Sequence, residues 1–482
     1  MYLGIDLGTS SVKTVLMDEN QTVIASATAS MDVSRAATGW SEQDPASWIS
    51  GMETTLGELQ INHPKHMQAV RGIGLSGHMH GATLLDKNDE VLRPCILWND
   101  TRSFAEAQQL DTPTSRAICG NILFPGFTSP KLAWTAKHEP KVFAKVAKVL
   151  LPKDYARLWL TGEHVSEMSD AAGTGWLDVG KRDWSDAQLE ATSLSREHMP
   201  SLVEGNQVSG TLRKAIATRF GMSSNVVVAG GAGDNAASAC GMGTVSPGNA
   251  FLSLGTSGVL FAANAKYSPN ADSAVHAFCH ALPDTWHQMG VILAATDSLN
   301  WLSGVFDQTP AALTQALESS NATPSEILFL PYLGGERTPH NDANARGIFT
   351  GLSHNTDASA MTKAVLQGVA FAFRDCQNAL SSAGTTLDSA YAIGGGSKST
   401  YWLQLISSAL KLPLHVTVDG DFGAGLGAAR LAMIAAESAD PIAVCKAPTI
   451  EKTIEPDVAL YDEFSAQFDR YQKTYTALST ID

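Results

Sequence analysis

The sequence writes one short hairpin twice. Residues 2–17, YLGIDLGTSSVKTVLM, hold two β-prone runs around the turn residues Gly8, Thr9, Ser10 and Ser11, and residues 250–262, AFLSLGTSGVLFA, repeat Leu7-Gly8-Thr9-Ser10 as Leu254-Gly255-Thr256-Ser257. Such a turn offers several backbone N–H groups and hydroxyls with no bulky side chain to keep a phosphate from the main chain. Asp6 and Lys13 flank the first copy, whereas Ser253 stands in the second where Asp6 stood. Both copies can therefore touch phosphate, but only the first brings a carboxylate, which beside phosphates needs a cation such as Mg²⁺ between them. A duplicated opening in a chain of 482 residues, too long for one ordinary core, predicts two large α/β domains, residues 1–245 and 246–482.

Charge narrows the partners. A formal net charge of −15 with no basic run opposes long-range attraction of nucleic acid or anionic membranes, so neither is an expected partner. The same charge repels a nucleotide triphosphate, so phosphate binding has to be local. Six cysteines, Cys95, Cys119, Cys240, Cys279, Cys376 and Cys445, form no C-x-x-C and no close pair, as thiols in a reducing compartment do. With no leader-like start and no apolar run of about 18 residues, a cytoplasmic location is expected. A homodimer is the expected assembly where one forms.

Residues 22–33 can add a third strand to the first hairpin. Asp44-Pro45 then offers an N-cap and a first helical position ahead of apolar residues at helical spacing. Residues 70–86, VRGIGLSGHMHGATLLD, read as strand, loop and strand, with His78-Met79-His80 set between glycines. Two imidazoles at that spacing without a third ligand suit a polar contact to a sugar better than a metal. Trp98 and Asn99 in ILWNDTR, Lys131 near Trp134, and Lys153-Asp154 beside Tyr155 pair aromatic faces with polar groups, as a polyol requires. In NVVVAGGAGDNAASACGMG (225–243), a buried strand runs through a Gly-rich turn into a helix whose N-cap region carries Asp234 and Asn235. Asp234 reads either as a cap or as a general base that accepts a hydroxyl proton.

In the second half, VILAATDSLNWL (291–302) reads as a helix and residues 329–352 as a long loop. SAYAIGGGSKSTYWLQLISSAL (389–410) reads as a strand, the triple glycine Gly394 to Gly396, and a helix, where a bare backbone lets a base or ribose lie flat. His276, Cys279 and His280 are too few ligands for Zn²⁺. GDFGAGLGAARLAMIAAES (420–438) suits close packing of a helix on a sheet. Its Gly423, Gly425 and Ala428 give a near match to the dinucleotide fingerprint, but without the ribose-binding acid at the proper distance.

The repeated LGTS turns, the GAGDN turn and the GGGSKS turn resemble the actin-like (ribonuclease H-like) ATPase fold. With GHMHGATLLD, ILWNDTR, LPKDY, SDAAGTGWLD and LPYLGGERTPHNDANARG, nearly the whole chain resembles the FGGY family of carbohydrate kinases. The resemblance implies a nucleotide cleft between two related domains, ATP and Mg²⁺ as cofactors, a small-molecule sugar and ATP as the partners, and Asp234 as catalytic base. It implies Asp6 at the metal and the transferring phosphoryl, Met79 and His80 at the sugar, and Thr9, Ser10, Gly255 and Thr256 at the phosphates. Gly395 and Gly396 would lie at the adenosine. Lys13 and Thr400 extend the nucleotide set; Trp98, Asn99, Asn235 and Asp234 itself extend the sugar set. A Met-His pair, where a glycerol-type member is expected to show Arg-Glu, implies a ketose acceptor, D-xylulose, converted to D-xylulose 5-phosphate. Another ketose or polyol, or an actin- or chaperone-like ATPase without transfer, is the alternative. Ala360 and Thr135 depart from the family pattern away from the expected chemistry.

Overall fold

A computed structural model describes residues 1–319, 322–418 and 423–479. Its two main sheets share one plan. In the first, Val23–Ser30, Ser11–Met17 and Tyr2–Leu7 run antiparallel in that order; Gly72–Gly77 and then Val227–Ala229 continue in parallel, and Val208–Thr211 closes the row antiparallel. In the second, Trp286–Ile292, Gly258–Asn264, Ala250–Leu254, Ala390–Ile393, Leu414–Thr417 and Ile450–Ile454 repeat that order and those senses. The two hairpins predicted from their turns are therefore the equivalent first hairpins of two equivalent sheets. Their turns differ by one residue: Leu7 pairs with Val12, whereas Leu254 pairs with Gly258.

The fifth strand of each sheet feeds a helix, Asp234–Met242 in the first half and Gly423–Glu437 in the second. These two helices pack on each other, and Gly423–Glu437 also lies across the first sheet. The expected helix-on-sheet packing is present, but the sheet is that of the other half; residues 420–422 of that stretch lie outside the described residues. Backbones meet closely here. A Cβ on Gly74 would stand 1.9 Å from the carbonyl oxygen of Ala428, and one on Gly427 only 1.8 Å from that of Ala237. The glycines that mimic a dinucleotide fingerprint face packed side chains instead: a Cβ on Gly425 would stand 3.0 Å from Val15 Cγ2 and one on Gly423 3.6 Å from Ser238 Oγ. Gly→Ala inside a helix ordinarily stabilises by about 1 kcal/mol; Gly427→Ala is expected to reverse that sign and cost about 1–3 kcal/mol, because neither backbone can yield. A lowered thermal midpoint checks it, and a raised one contradicts the close crossing.

Beneath the crossing, a hydrophobic cluster joins the halves, with Met79, Phe127, Trp176 and Ala239 beside Phe251, Phe261, Phe278 and Met289. Three local expectations change. Val291 and Ile292 end the strand Trp286–Ile292, paired with Val259 and Gly258, and the helix begins at Thr296. A short apolar run does not by itself distinguish the two structures. The loop at 329–352 is bounded by paired strands, Leu328–Leu330 and Ile348–Thr350. The helix after Val227–Ala229 is capped by Gly233, with Asp234 as its first residue.

Candidate active site

Asp6 ends the strand Tyr2–Leu7, opposite Lys13 in the antiparallel ladder and opposite Ser76 in the parallel one. Burial raises its carboxyl above the usual range, while the Ser76 hydroxyl and the Lys13 ammonium pull it back. Asp234 is half-buried. Its Oδ1 accepts from the backbone N–H of Asn235 at 2.7 Å and from Asn235 Nδ2 at 3.0 Å. Burial pushes the Asp234 carboxyl up to about 6; the Asn235 backbone bond opposes that shift and the nearby Asp6 carboxylate adds to it. A half-buried carboxylate that feels a second one nearby, with a pKa of about 6, has the electrostatics of a general base.

A buried network holds the turn that carries Asp234. Ser169 Oγ accepts from the N–H of Gly233 at 3.0 Å, and the Glu167 carboxylate accepts from the N–H groups of Ser169 and Asp170 at 2.7 and 2.9 Å. Lys153 Nζ lies 3.2 Å from Glu167, 2.8 Å from Asp154 and 3.1 Å from Asp170, all of them fully buried. Arg157 donates to the carbonyls of Ala229 and Gly230 at 2.9 and 2.6 Å. Two cations thus face three carboxyls, and desolvation drives the Asp170 carboxyl well above its ordinary pKa.

Next to that turn is the loop carrying Met79 and His80. A Cβ on Gly233 would stand 2.9 Å from Met79 Cγ, so Met79 packs directly against the residue before Asp234. His80 sits at φ 71°, a backbone state open to few residues other than glycine and least unfavourable for short polar ones and His. Its Nδ1 is 2.6 Å from the carbonyl oxygen of Gly173. A carbonyl only accepts, so Nδ1 carries the proton and Nε2 is an acceptor. Burial lowers the His80 pKa to about 3, against the Gly173 hydrogen bond and with help from the Lys131 and Arg337 charges, so the ring is neutral. It stacks on Phe127 with centroids 4.6 Å apart, and Lys131 Nζ holds its carbonyl at 2.7 Å.

At the phosphate turn, Trp98 Nε1–H donates to Thr9 Oγ1 at 3.0 Å and Gln43 to the Thr9 carbonyl at 3.0 Å. The Thr9 hydroxyl proton is thereby left to point at an incoming oxygen. Trp98, which makes this bond to the turn, is 44% exposed. Asn99 Oδ1 is buried without a hydrogen-bond partner, and Ser10 is exposed with its carbonyl bound by the N–H of Met31 at 2.8 Å.

The second turn is pinned elsewhere. The carbonyls of Gly255 and Thr256 accept from Thr296 and Ala295 at 2.9 and 2.8 Å. A Cβ on Gly394 would stand 2.7 Å from the carbonyl oxygen of Leu254, so the triple glycine adjoins this turn. Gly395 and Gly396 line a pocket of about 510 Å³ with Thr296, Asn300, Gln315 and Trp402. Thr400 does not line it; its hydroxyl accepts from Lys452 at 2.8 Å. The site residues therefore fall into two groups: the first turn with Asp6, Lys13, Asp234, Asn235, Met79 and His80, and the second turn with the glycine-lined pocket. Sequence reasoning assigned no role to Gly173, Phe127 or Arg337, weighed His276 only as a metal ligand and read Lys131 only as a polar partner of Trp134, although Gly173 and Arg337 lie inside stretches quoted for their family resemblance.

Two equivalent actin-like sheets, each with a Gly-Thr-Ser turn, and a carboxylate beside a polar loop have the architecture of a sugar kinase. The chain belongs to the FGGY family of carbohydrate kinases: the model of the family's N-terminal domain matches residues 1–241 and that of its C-terminal domain residues 250–436. It is 46% identical over 484 residues to a xylulose kinase of Escherichia coli K12, covering 99% of both chains. A solved structure of a Brucella ovis protein named as a xyloylose kinase is 58% identical over all of both chains with a TM-score of 0.99. The crystal structure of a xylulose kinase from Rhodospirillum rubrum is 27% identical with a TM-score of 0.93, covering 100% of this chain and 99% of that one. Membership implies ATP as the phosphoryl donor. Among the described residues no helix is long and apolar enough to cross a membrane.

Proposed function

We propose that this chain phosphorylates D-xylulose with ATP to give D-xylulose 5-phosphate. The observation that carries the reading is the abutment of Met79-His80 on the Gly233-Asp234 turn, in a chain related over its full length to proteins named xylulose kinase. The first half, residues 1–245, holds sugar and the phosphoryl end, and residues 246–482 hold adenosine in the pocket lined by Gly395 and Gly396. Six buried thiols suit a reducing cytoplasm.

Asp234 accepts the proton of the C5 hydroxyl as that oxygen bonds to the γ-phosphorus and the bond from phosphorus to the bridging oxygen of ADP breaks. The Thr9 hydroxyl and the N–H groups of both turns hold the phosphates in line. Asp6 and Asp234, paired carboxyls beside a phosphate turn, fit Mg²⁺, which takes one or two carboxylates and completes its shell with phosphate and water; held through Asp6, it would neutralise charge on the transferring group. His80 Nε2 accepts a sugar hydroxyl, and Met79 supplies an adaptable apolar contact.

His80→Ala removes that acceptor and is expected to lower kcat/KM for D-xylulose by about tenfold to a hundredfold, while KM for ATP stays near wild type. Equal effects on both substrates would take His80 out of the sugar site. A coupled ADP-release assay over D-xylulose, D-ribulose, gluconate and glycerol tests the reading as a whole. D-xylulose is expected to lead and glycerol to trail, and glycerol used as well as D-xylulose would overturn the assignment.

A further inference from the structure

A pentulose whose C5 hydroxyl is free to be phosphorylated cannot be in its furanose form, because that ring uses O5. The acceptor therefore enters open-chain, with a bare C2 carbonyl that needs a hydrogen-bond donor. His80 cannot supply one, since its Nδ1–H is spent on Gly173 and its Nε2 only accepts. Asp234, ionised as a base, cannot either.

We infer that Arg337 is the donor that reads the C2 carbonyl and so selects a ketose over the corresponding polyol, an inference that rests on the pentulose-kinase reading above. Arg337 comes from the second half. It is half-buried, its guanidinium lies 4.6 Å from the Phe124 ring centroid, and it is near enough to His80 to lower that ring's pKa. The wall between them is continuous: His80 stacks on Phe127, which stacks on His276 with centroids 6.0 Å apart, and Arg337 Nη1 lies 3.4 Å from His276 Nε2.

The protonation pattern fixes the direction of each bond. Asn121 Nδ2 donates to the carbonyls of Cys119 and Ala277, which turns Asn121 Oδ1 toward His276 Nδ1 at 3.2 Å. His276 Nδ1 therefore carries the proton, and Nε2 accepts from Arg337. The loop bearing Arg337 is bound to the strand Trp286–Ile292 and the residue after it. Thr338 N–H donates to the Val291 carbonyl at 3.0 Å, and Leu293 N–H to Glu336 Oε1 at 3.0 Å. Among the described residues no carboxylate lies within ion-pair distance of Arg337. Its neighbour Glu336 is buried, and that burial pushes its carboxyl up to about 8. The result is an oriented cation, seated on the Phe124 ring and donating through Nη1 to His276. It offers what a carbonyl lacks in this site and gives little to an alcohol that can donate its own proton.

The test compares D-xylulose with xylitol, the polyol that differs from it by reduction at C2, in wild type, Arg337→Met, Arg337→Lys and His276→Phe. Wild type is expected to prefer D-xylulose. Arg337→Met should lower kcat/KM for D-xylulose by about tenfold to a hundredfold, leave xylitol within about threefold, and leave KM for ATP within about threefold. Arg337→Lys keeps the charge but loses the planar fork, and His276→Phe keeps the ring stack but frees the guanidinium. Both should shrink the ketose-to-polyol ratio by less. Those two variants carry the test should Arg337→Met fail to fold. Equal losses on both sugars, or an unchanged ratio in every folded variant, would overturn the role of Arg337 alone. Wild type that ignores D-xylulose altogether would overturn the function on which it rests.

Discussion

Asp234→Asn is expected to lower kcat by about 10²–10⁴-fold, the usual contribution of a positioned base, while KM for D-xylulose stays within about tenfold. The size of the effect follows from its environment. The Asp234 pKa, near 6, is matched to a proton transfer at neutral pH, and Asn cannot accept the proton. Because the base acts ionised, wild-type kcat/KM should rise with pH through about 6 and level off above it, and the amide variant should lose that limb. Stability should move the other way. A carboxyl whose folded pKa lies above its unfolded value disfavours the fold wherever it is ionised, fully above about pH 6, and this penalty fades as pH falls toward 4. The amide should therefore raise the thermal midpoint at pH 7. A residue whose job was to cap the helix would show near-normal turnover and nearly unchanged stability, since Asn caps about as well as Asp.

Lys153→Met should produce the largest loss of stability. It leaves the buried carboxyls of Asp154, Glu167 and Asp170 with Arg157 as their cation, and breaking a buried charge cluster from one side costs about 3–5 kcal/mol. Activity should fall in the fraction that folds, because Glu167 holds Ser169, and Ser169 holds the N–H of Gly233. A misplacement of about 1 Å at Asp234 can cost about 10²-fold in rate. Thermal unfolding by circular dichroism and kcat measured well below the midpoint separate the two effects. Wild-type values in both would mean that the network neither stabilises the domain nor holds the base.

The two sheets were legible in the sequence because Gly-Thr-Ser turns between alternating apolar residues carry their own geometry. Their repetition then implied repeated topology. Asp234 was legible as a carboxylate at a Gly-rich strand-to-helix turn, yet Gly233 takes the cap, since Ser169 holds its N–H and the carboxylate turns back on Asn235. The Lys153 cluster lay hidden because a lysine beside Tyr155 looks like an amphipathic edge until Glu167 and Asp170 fold onto it. Trp98 was read as a sugar contact from its ring beside Asn99, Asp100 and Arg102; the bond of its indole N–H to Thr9, distant in sequence, was not legible. Arg337 and His276 approach His80 only when the two halves close on one aromatic wall, and no local pattern of residues encodes that meeting.

The proposed transfer takes phosphate to the C5 hydroxyl of D-xylulose, with the Asp234 carboxylate on the Gly233-Asp234 turn as the base. The most direct measurement is ³¹P and ¹³C NMR of the product formed from ATP and D-xylulose. The expected result is one D-xylulose 5-phosphate for each ADP, with phosphorus coupled to C5, and no such product from Asp234→Asn over the same time. Inorganic phosphate released without sugar phosphate, or phosphate attached at C1, would contradict it.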